Sequence, residues 1–230
     1  HGVPPIGCVI SDYRHCPKNV CRESQSDPRH RRTRSSLLVE YGGKRVLIDV
    51  SPDFRHQALR ERIPAIDAVL LTHKHADHIM GIPDIRSYTD PDRPPLPVYG
   101  SAETLRTVRD TFGYIFDPNT FVGGGIPRLS LHELDGPFTL FGERVTPVFV
   151  SHGNLRGCCG YRIGDMACVP DLKSIDEENK KKCSNLRVLV LNCLRERRPH
   201  STHLTLEQSI ALARELRPEK CYFIHMSHNI

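Results

Sequence analysis

Apolar residues recur along the chain in short runs bounded by glycine, proline or charge, the grammar of strands and short helices. "SSLLVEYGGKRVLIDV", residues 35–50, holds two β-rich runs divided by Gly42 and Gly43 and predicts a hairpin with a tight turn. "PDFRHQALRERI" predicts a helix opening at Pro52 and Asp53, and 66–72 has the length of a buried strand. "TDPDRPPLP", 89–97, reads as a proline-rich surface connection, and "SAETLRTVRDTFGY" as a helix capped by Ser101 and stopped near Gly113. Strands are predicted near 145–151, 160–164, 166–170 and 186–193. A helix follows from "TLEQ", where Thr205 caps, Gln208 reaches back and Leu206, Ile210 and Ala213 form the inward stripe; a last strand covers 221–225. "DEENKKKCSN", 176–185, is a solvated, charged helix end or loop. Strands and helices mixed in both halves predict an α/β sandwich of sheets covered by helices.

With 230 residues and 38% hydrophobic content, one domain spanning 1–230 is expected. No apolar run reaches the roughly 18 residues that suggest a membrane span, so no membrane partner is expected. "HGVPPIGC" lacks the basic start and apolar stretch of a secretory signal. The net charge of +5 is spread along the chain, which suits an anionic substrate without requiring a nucleic-acid partner. The nine cysteines are odd in number, and Cys168, Cys193 and Cys221 sit in apolar segments; they read as reduced thiols or metal ligands of a cytoplasmic protein. A homodimer is compatible with this composition.

One stretch changes the picture. In "VLLTHKHADHIMG", 69–81, an apolar run breaks into three histidines and an aspartate within six positions. If the chain stays extended as it leaves the strand, His73 and His75 point the same way and reach one ion; if it then turns into a helix, Asp77 and His78 come off the first turn toward a neighbouring spot. Further donors follow apolar runs: His152 after "TPVFVS", Asp171 after "MACVP" and His225 after "CYFI". Together these make five histidines and two aspartates, a set that suits a pair of borderline ions better than a lone structural zinc.

Thr72 to His78 carries T-H-x-H-x-D-H unbroken, and in this the chain resembles the metallo-β-lactamase superfamily. "GVPPIGC", "DPRHRRTRSSLLVE", "SHGNLRGCCGYRI" and "FIHMSH" are similar to the branch containing the phosphoribosyl 1,2-cyclic phosphodiesterase of phosphonate breakdown. The resemblance implies a four-layer αββα sandwich with two mixed β-sheets and the metals at one edge. It assigns His73, His75 and His152 to one ion, Asp77, His78 and His225 to a second, and Asp171 as the bridge, with zinc or manganese, or iron, as the metals. It also implies a separate structural zinc held by Cys8, Cys16, Cys21 and His228, although relatives space these cysteines more tightly. Pro170 stands where relatives often have threonine, and the chain reads as a segment trimmed at its ends.

Two ions about 3.5–4 Å apart can share a water, lower its pKa from about 15.7 toward 7, and hold the attacking and leaving oxygens of a phosphoryl centre. Asp77 is then part of the catalytic centre. In "RERRPHSTH", 195–203, the resemblance makes His203 the general acid near the phosphate, with His200 and His203 touching substrate. The expected activity is a metal-dependent phosphodiesterase acting on a small, cyclic or linear, phosphodiester or nucleotide. The competing readings are a thioester hydrolase like glyoxalase II, a nuclease like ribonuclease Z, and a metal-stapled binding module without turnover.

Overall fold

The computed structural model describes residues 19–30, 32–123, 125–228 and 230. The chain divides into two compact units, one made of 35–143 with 156–158 and the other of 1–34, 144–155 and 159–230. In chain order the elements are α1 (Val20–Ser26), β1 (Leu37–Tyr41), β2 (Lys44–Ile48), α2 (Phe54–Arg60), β3 (Ala68–Leu70), α3 (Ala76–Ile79), β4 (Leu96–Gly100), α4 (Ala102–Thr111), α5 (Gly113–Phe116), β5 (Leu129–Glu133), β6 (Phe138–Leu140), β7 (Glu143–Phe149), β8 (Cys159–Ile163), β9 (Met166–Val169), α6 (Glu177–Lys182), β10 (Val188–Asn192), α7 (Leu206–Leu216) and β11 (Lys220–Ile224). Among the described residues no helix is long and apolar enough to cross a membrane.

The unit formed by 35–143 carries a five-stranded sheet in the order β1-β2-β3-β4-β5. The β1–β2 hairpin is antiparallel and the next three pairings are parallel, so the sheet is mixed. Gly42 and Gly43 take φ of 54° and 71°, the left-handed pair that a two-residue hairpin turn needs. Parallel strands need crossovers, and these contribute Phe54, Leu105 and Val108 to a core with Leu47, Val69, Leu71 and Val98. Ser101 caps α4 by accepting from the Thr104 amide, as expected. The proline-rich stretch ends sooner than its composition suggests: Leu96–Gly100 is β4, with Leu96, Val98 and Gly100 buried.

The other unit carries β7 to β11 of a six-stranded sheet ordered β11-β10-β9-β8-β7-β6. Its β7–β8 and β8–β9 pairs are antiparallel, whereas β9–β10 and β10–β11 are parallel. The α/β fold with two mixed sheets is therefore as the sequence predicts. Thr205 and Gln208 form the reciprocal cap of α7. The inward face of that helix includes Ala213 of the expected stripe and extends beyond it. Ser209 is the buried position, and Leu212, Ala213 and Leu216 pack on the core of Leu189, Leu191 and Val169, while Leu206 and Ile210 stay half-buried. The hydroxyl of Ser209 donates to the Asn192 carbonyl at 2.7 Å. The charged 176–185 stretch forms α6, capped by Asp176, which accepts from the Asn179 amide.

Candidate metal-binding sites

In the first unit the donors come from the segment leaving β3. Leu71, Thr72 and His73 are buried, and α3 begins after His75, so Asp77 and His78 fall on its first turn. His73 Nε2 lies 2.9 Å from His75 Nδ1, so these two imidazoles do converge. Two nitrogens about 2.0–2.1 Å from one ion would be about 2.9 Å apart at a right angle and about 3.4 Å at the tetrahedral angle, so this spacing fits a shared metal. Asp77 Oδ2 stands 3.4 Å from His78 Nε2.

Asp49, which the strand-end reasoning passed over, organises this cluster. It follows β2 with φ of 61°, its backbone N–H bonded to the Leu70 carbonyl, and its side chain is buried. Its Oδ1 accepts the Thr72 amide at 2.8 Å; its Oδ2 accepts the Thr72 hydroxyl at 2.7 Å and the His78 Nδ1–H at 2.7 Å. A carboxylate only accepts here, so the His78 proton sits on Nδ1 and the Nε2 lone pair is left for a metal. The run "VLID" ending in an acid was the available signal.

In the second unit His152, Asp171 and His225 follow β7, β9 and β11. His152 Nδ1 donates to the Thr202 carbonyl at 2.8 Å, which turns Nε2 toward Asp171 Oδ2 at 3.4 Å. Asp171 Oδ1 meets His225 Nε2 at 3.2 Å. Each carboxylate oxygen thus faces a different imidazole, an arrangement suited to a bridging ligand. His225 holds φ of 59°, a backbone conformation that costs energy for a side chain of its size.

His203 is brought to the same place. It stacks on His225 with centroids 4.9 Å apart, meets His152 edge-on at 4.7 Å and lies 5.1 Å from His200. One ligand atom each of Asp171, His203 and His225 fall within 4.8 Å of one another. Burial, outweighing the Asp171 charge, pushes its pKa down to about 3, which makes the ring neutral near pH 7. Asn192, also missed from sequence, fixes its tautomer. The amide accepts from the Leu204 N–H and donates to the Pro170 carbonyl, so its second N–H meets His203 Nδ1 at 3.2 Å. The His203 proton therefore sits on Nε2. Burial and the nearby Arg195 and Lys173 charges lower the His200 pKa as well.

Of the residues expected to hold the separate zinc, Cys21 and His228 come together, with Sγ 3.2 Å from Nδ1. Cys8 and Cys16 lie outside the described residues. Ligands at about 2.3 Å and 2.0–2.1 Å on a tetrahedral ion stand about 3.5 Å apart, close to the observed spacing.

Residues 44–226 match the beta-lactamase superfamily domain. A solved diphosphatase of the PhnP family superposes with a TM-score of 0.84 at 39% identity, covering all of this chain and 83% of that one. An octanoyltransferase from Porphyromonas gingivalis is 40% identical over 99% of this chain, and ribonuclease Z from Bradyrhizobium sp. is 41% identical over 28% of it. The chain spans 44% of the former and 22% of the latter, well under the length of either curated relative. The chain belongs to the metallo-β-lactamase superfamily of hydrolases, in its PhnP-like branch.

Proposed function

We propose that the two donor sets serve one hydrolytic centre of two divalent ions, and that the chain is a phosphodiesterase acting on a small phosphodiester or diphosphate ester. The observation that carries this reading is the likeness, over all of this chain at 39% identity, to a protein named as a diphosphatase. His73, His75 and His152 would hold one ion, Asp77, His78 and His225 the other, with Asp171 between them. Bound there, the ions supply an activated water and neutralise charge growing on the phosphoryl oxygens.

The chain's own groups do the rest. Asp49 and the Thr202 carbonyl fix the ring orientations of His78 and His152. His203, neutral and carrying its proton on Nε2, donates a hydrogen bond to a phosphoryl or leaving oxygen and stabilises it without a full positive charge. We also propose a structural zinc on Cys21 and His228, completed by Cys8 and Cys16. A cytoplasmic location, where thiols such as Cys183 and Cys221 would stay reduced, goes with this reading.

Metal analysis of the purified protein, followed by turnover of cyclic and linear phosphodiesters, a diphosphate ester and a glutathione thioester, tests the reading. Hydrolysis of a phosphate ester that is abolished by Asp171→Asn is expected; thioester hydrolysis alone refutes it. The ribonuclease Z segment favours a second reading, a nuclease, which requires cleavage of precursor tRNA in the same assay. The octanoyltransferase name carries little weight here, because it belongs to a protein of which this chain spans 44%.

A further inference from the structure

The segment 195–203, which carries His200 and His203, is a closed loop. Its base is tied by two backbone bonds, Leu194 N–H to the Leu204 carbonyl at 3.1 Å and Leu206 N–H to the Arg195 carbonyl at 2.9 Å. The Arg195 guanidinium braces it further by donating to the Pro199 carbonyl at 2.9 Å. Within this loop Thr202 meets three partners. Its carbonyl accepts the His152 Nδ1–H at 2.8 Å, its backbone N–H donates to His200 Nδ1 at 3.3 Å, and its hydroxyl lies 3.0 Å from that same nitrogen. The third partner is Gly153, next to His152: a Cβ built there, at φ of 61°, would stand 2.9 Å from Thr202 Cγ2, so the close approach needs glycine. An amide N–H can only donate, so His200 Nδ1 carries a lone pair and the Thr202 hydroxyl donates to it as well. The His200 proton is therefore on Nε2, where no group among the described residues takes it up. The two histidines of the loop thus share one state. Asn192 occupies Nδ1 of His203 and Thr202 occupies Nδ1 of His200, and the rings lie 5.1 Å apart.

We propose that Thr202 is a positioning residue that presents His200 as a neutral Nε2–H donor to a non-bridging oxygen of the scissile phosphate, while its carbonyl aligns His152. The inference rests on the phosphodiesterase reading and deepens it. His203 is buried and His200 half-buried, so the two donors meet different oxygens of one ester. A non-bridging oxygen is already charged in the bound substrate, and the His200 bond is therefore felt chiefly in KM. Because the Thr202 carbonyl serves the metal side and the hydroxyl the substrate side, a side-chain substitution separates the two.

The test uses the metal-loaded protein, bis(p-nitrophenyl) phosphate and two variants. Thr202→Val keeps the side-chain shape and the carbonyl but loses the hydroxyl, whereas Thr202→Ser keeps the hydroxyl. KM is expected to rise about tenfold in Thr202→Val and to stay within about twofold in Thr202→Ser, with metal affinity, read by chelator competition, unchanged in both. An unchanged KM in Thr202→Val, a rise that Thr202→Ser shares, or a parallel loss of metal affinity in Thr202→Val overturns the proposal. Nitrogen-15 NMR of the histidine rings in metal-free protein adds a readout that fold stability alone does not move. His200 is expected as the Nε2–H tautomer, giving way to a mixture in Thr202→Val; an Nδ1–H ring in the unaltered protein, or an unchanged ring in Thr202→Val, overturns the assignment. If the unaltered protein hydrolyses no phosphate ester, the phosphodiesterase reading fails, and the tautomer measurement still decides whether Thr202 sets the His200 ring.

Discussion

Replacing Asp49 with asparagine tests how far the metal-binding cluster depends on a residue that touches no ion. Asparagine tolerates the left-handed backbone that Asp49 adopts at φ of 61°, so the fold at the turn is preserved and the change is confined to one oxygen. The amide nitrogen must go somewhere. In the Oδ1 position it would confront the Thr72 N–H, a buried donor 2.8 Å away; in the Oδ2 position it meets the Thr72 hydroxyl, which can turn and accept, and the His78 ring. The second orientation wins, and an amide N–H there forces His78 to accept at Nδ1. The ring proton moves to Nε2, the atom needed by a metal. Losing one outer partner of a metal-binding histidine typically costs 10–100-fold in affinity, about 1.4–2.7 kcal/mol. Competition against a chromophoric chelator measures this directly, and turnover should fall with occupancy. Asp49→Asn protein that takes up metal with unaltered affinity would refute the tautomer argument.

Three further outcomes follow from the structure. Asn192→Leu removes bonds to the Pro170 carbonyl, the Leu204 N–H and His203 Nδ1; the melt is expected to show a loss of about 2–4 kcal/mol, and kcat to fall more than KM rises, because the buried backbone groups lose their partners and His203 is freed to rotate. Gly81→Ala places a Cβ 2.0 Å from the Ser51 carbonyl oxygen and 3.0 Å from Phe54 Cβ, so denaturation should report a loss of about 3 kcal/mol or a failure to fold. His203 has a folded pKa of about 3, below the ordinary value of about 6.5, so the unfolded chain binds its proton first. Metal-free stability should therefore be full above about pH 6.5 and decline toward pH 3 by up to about 1.4 kcal/mol per pH unit; His203→Gln should flatten that decline.

Local features were legible in the sequence. The Gly42-Gly43 turn and the caps at Ser101 and Thr205 with Gln208 depend on residues within a few positions of one another. The T-H-x-H-x-D-H segment was also legible, including the switch from extended chain to helix after His75. Strand β4 was hidden because prolines at 94, 95 and 97 mask a strand whose buried positions are only Leu96, Val98 and Gly100. Asp49 and Asn192 were hidden for a different reason. Their partners Thr72 and Pro170 lie 23 and 22 residues away, and only strand register brings them together. Counting apolar residues found Ala213 on the inward face of α7 but not Ser209, which buries its hydroxyl against the Asn192 carbonyl.

The Asp49 hydrogen bonds to Thr72 and His78 join protein to protein, so part of the scaffold around the histidines is assembled without help from an ion. A small zinc finger collapses when a chelator removes its metal, whereas this unit keeps a sixteen-member buried apolar cluster beneath its donors. Stripped protein should therefore remain a usable vessel, into which zinc, manganese or iron can be reloaded one at a time to compare what each does.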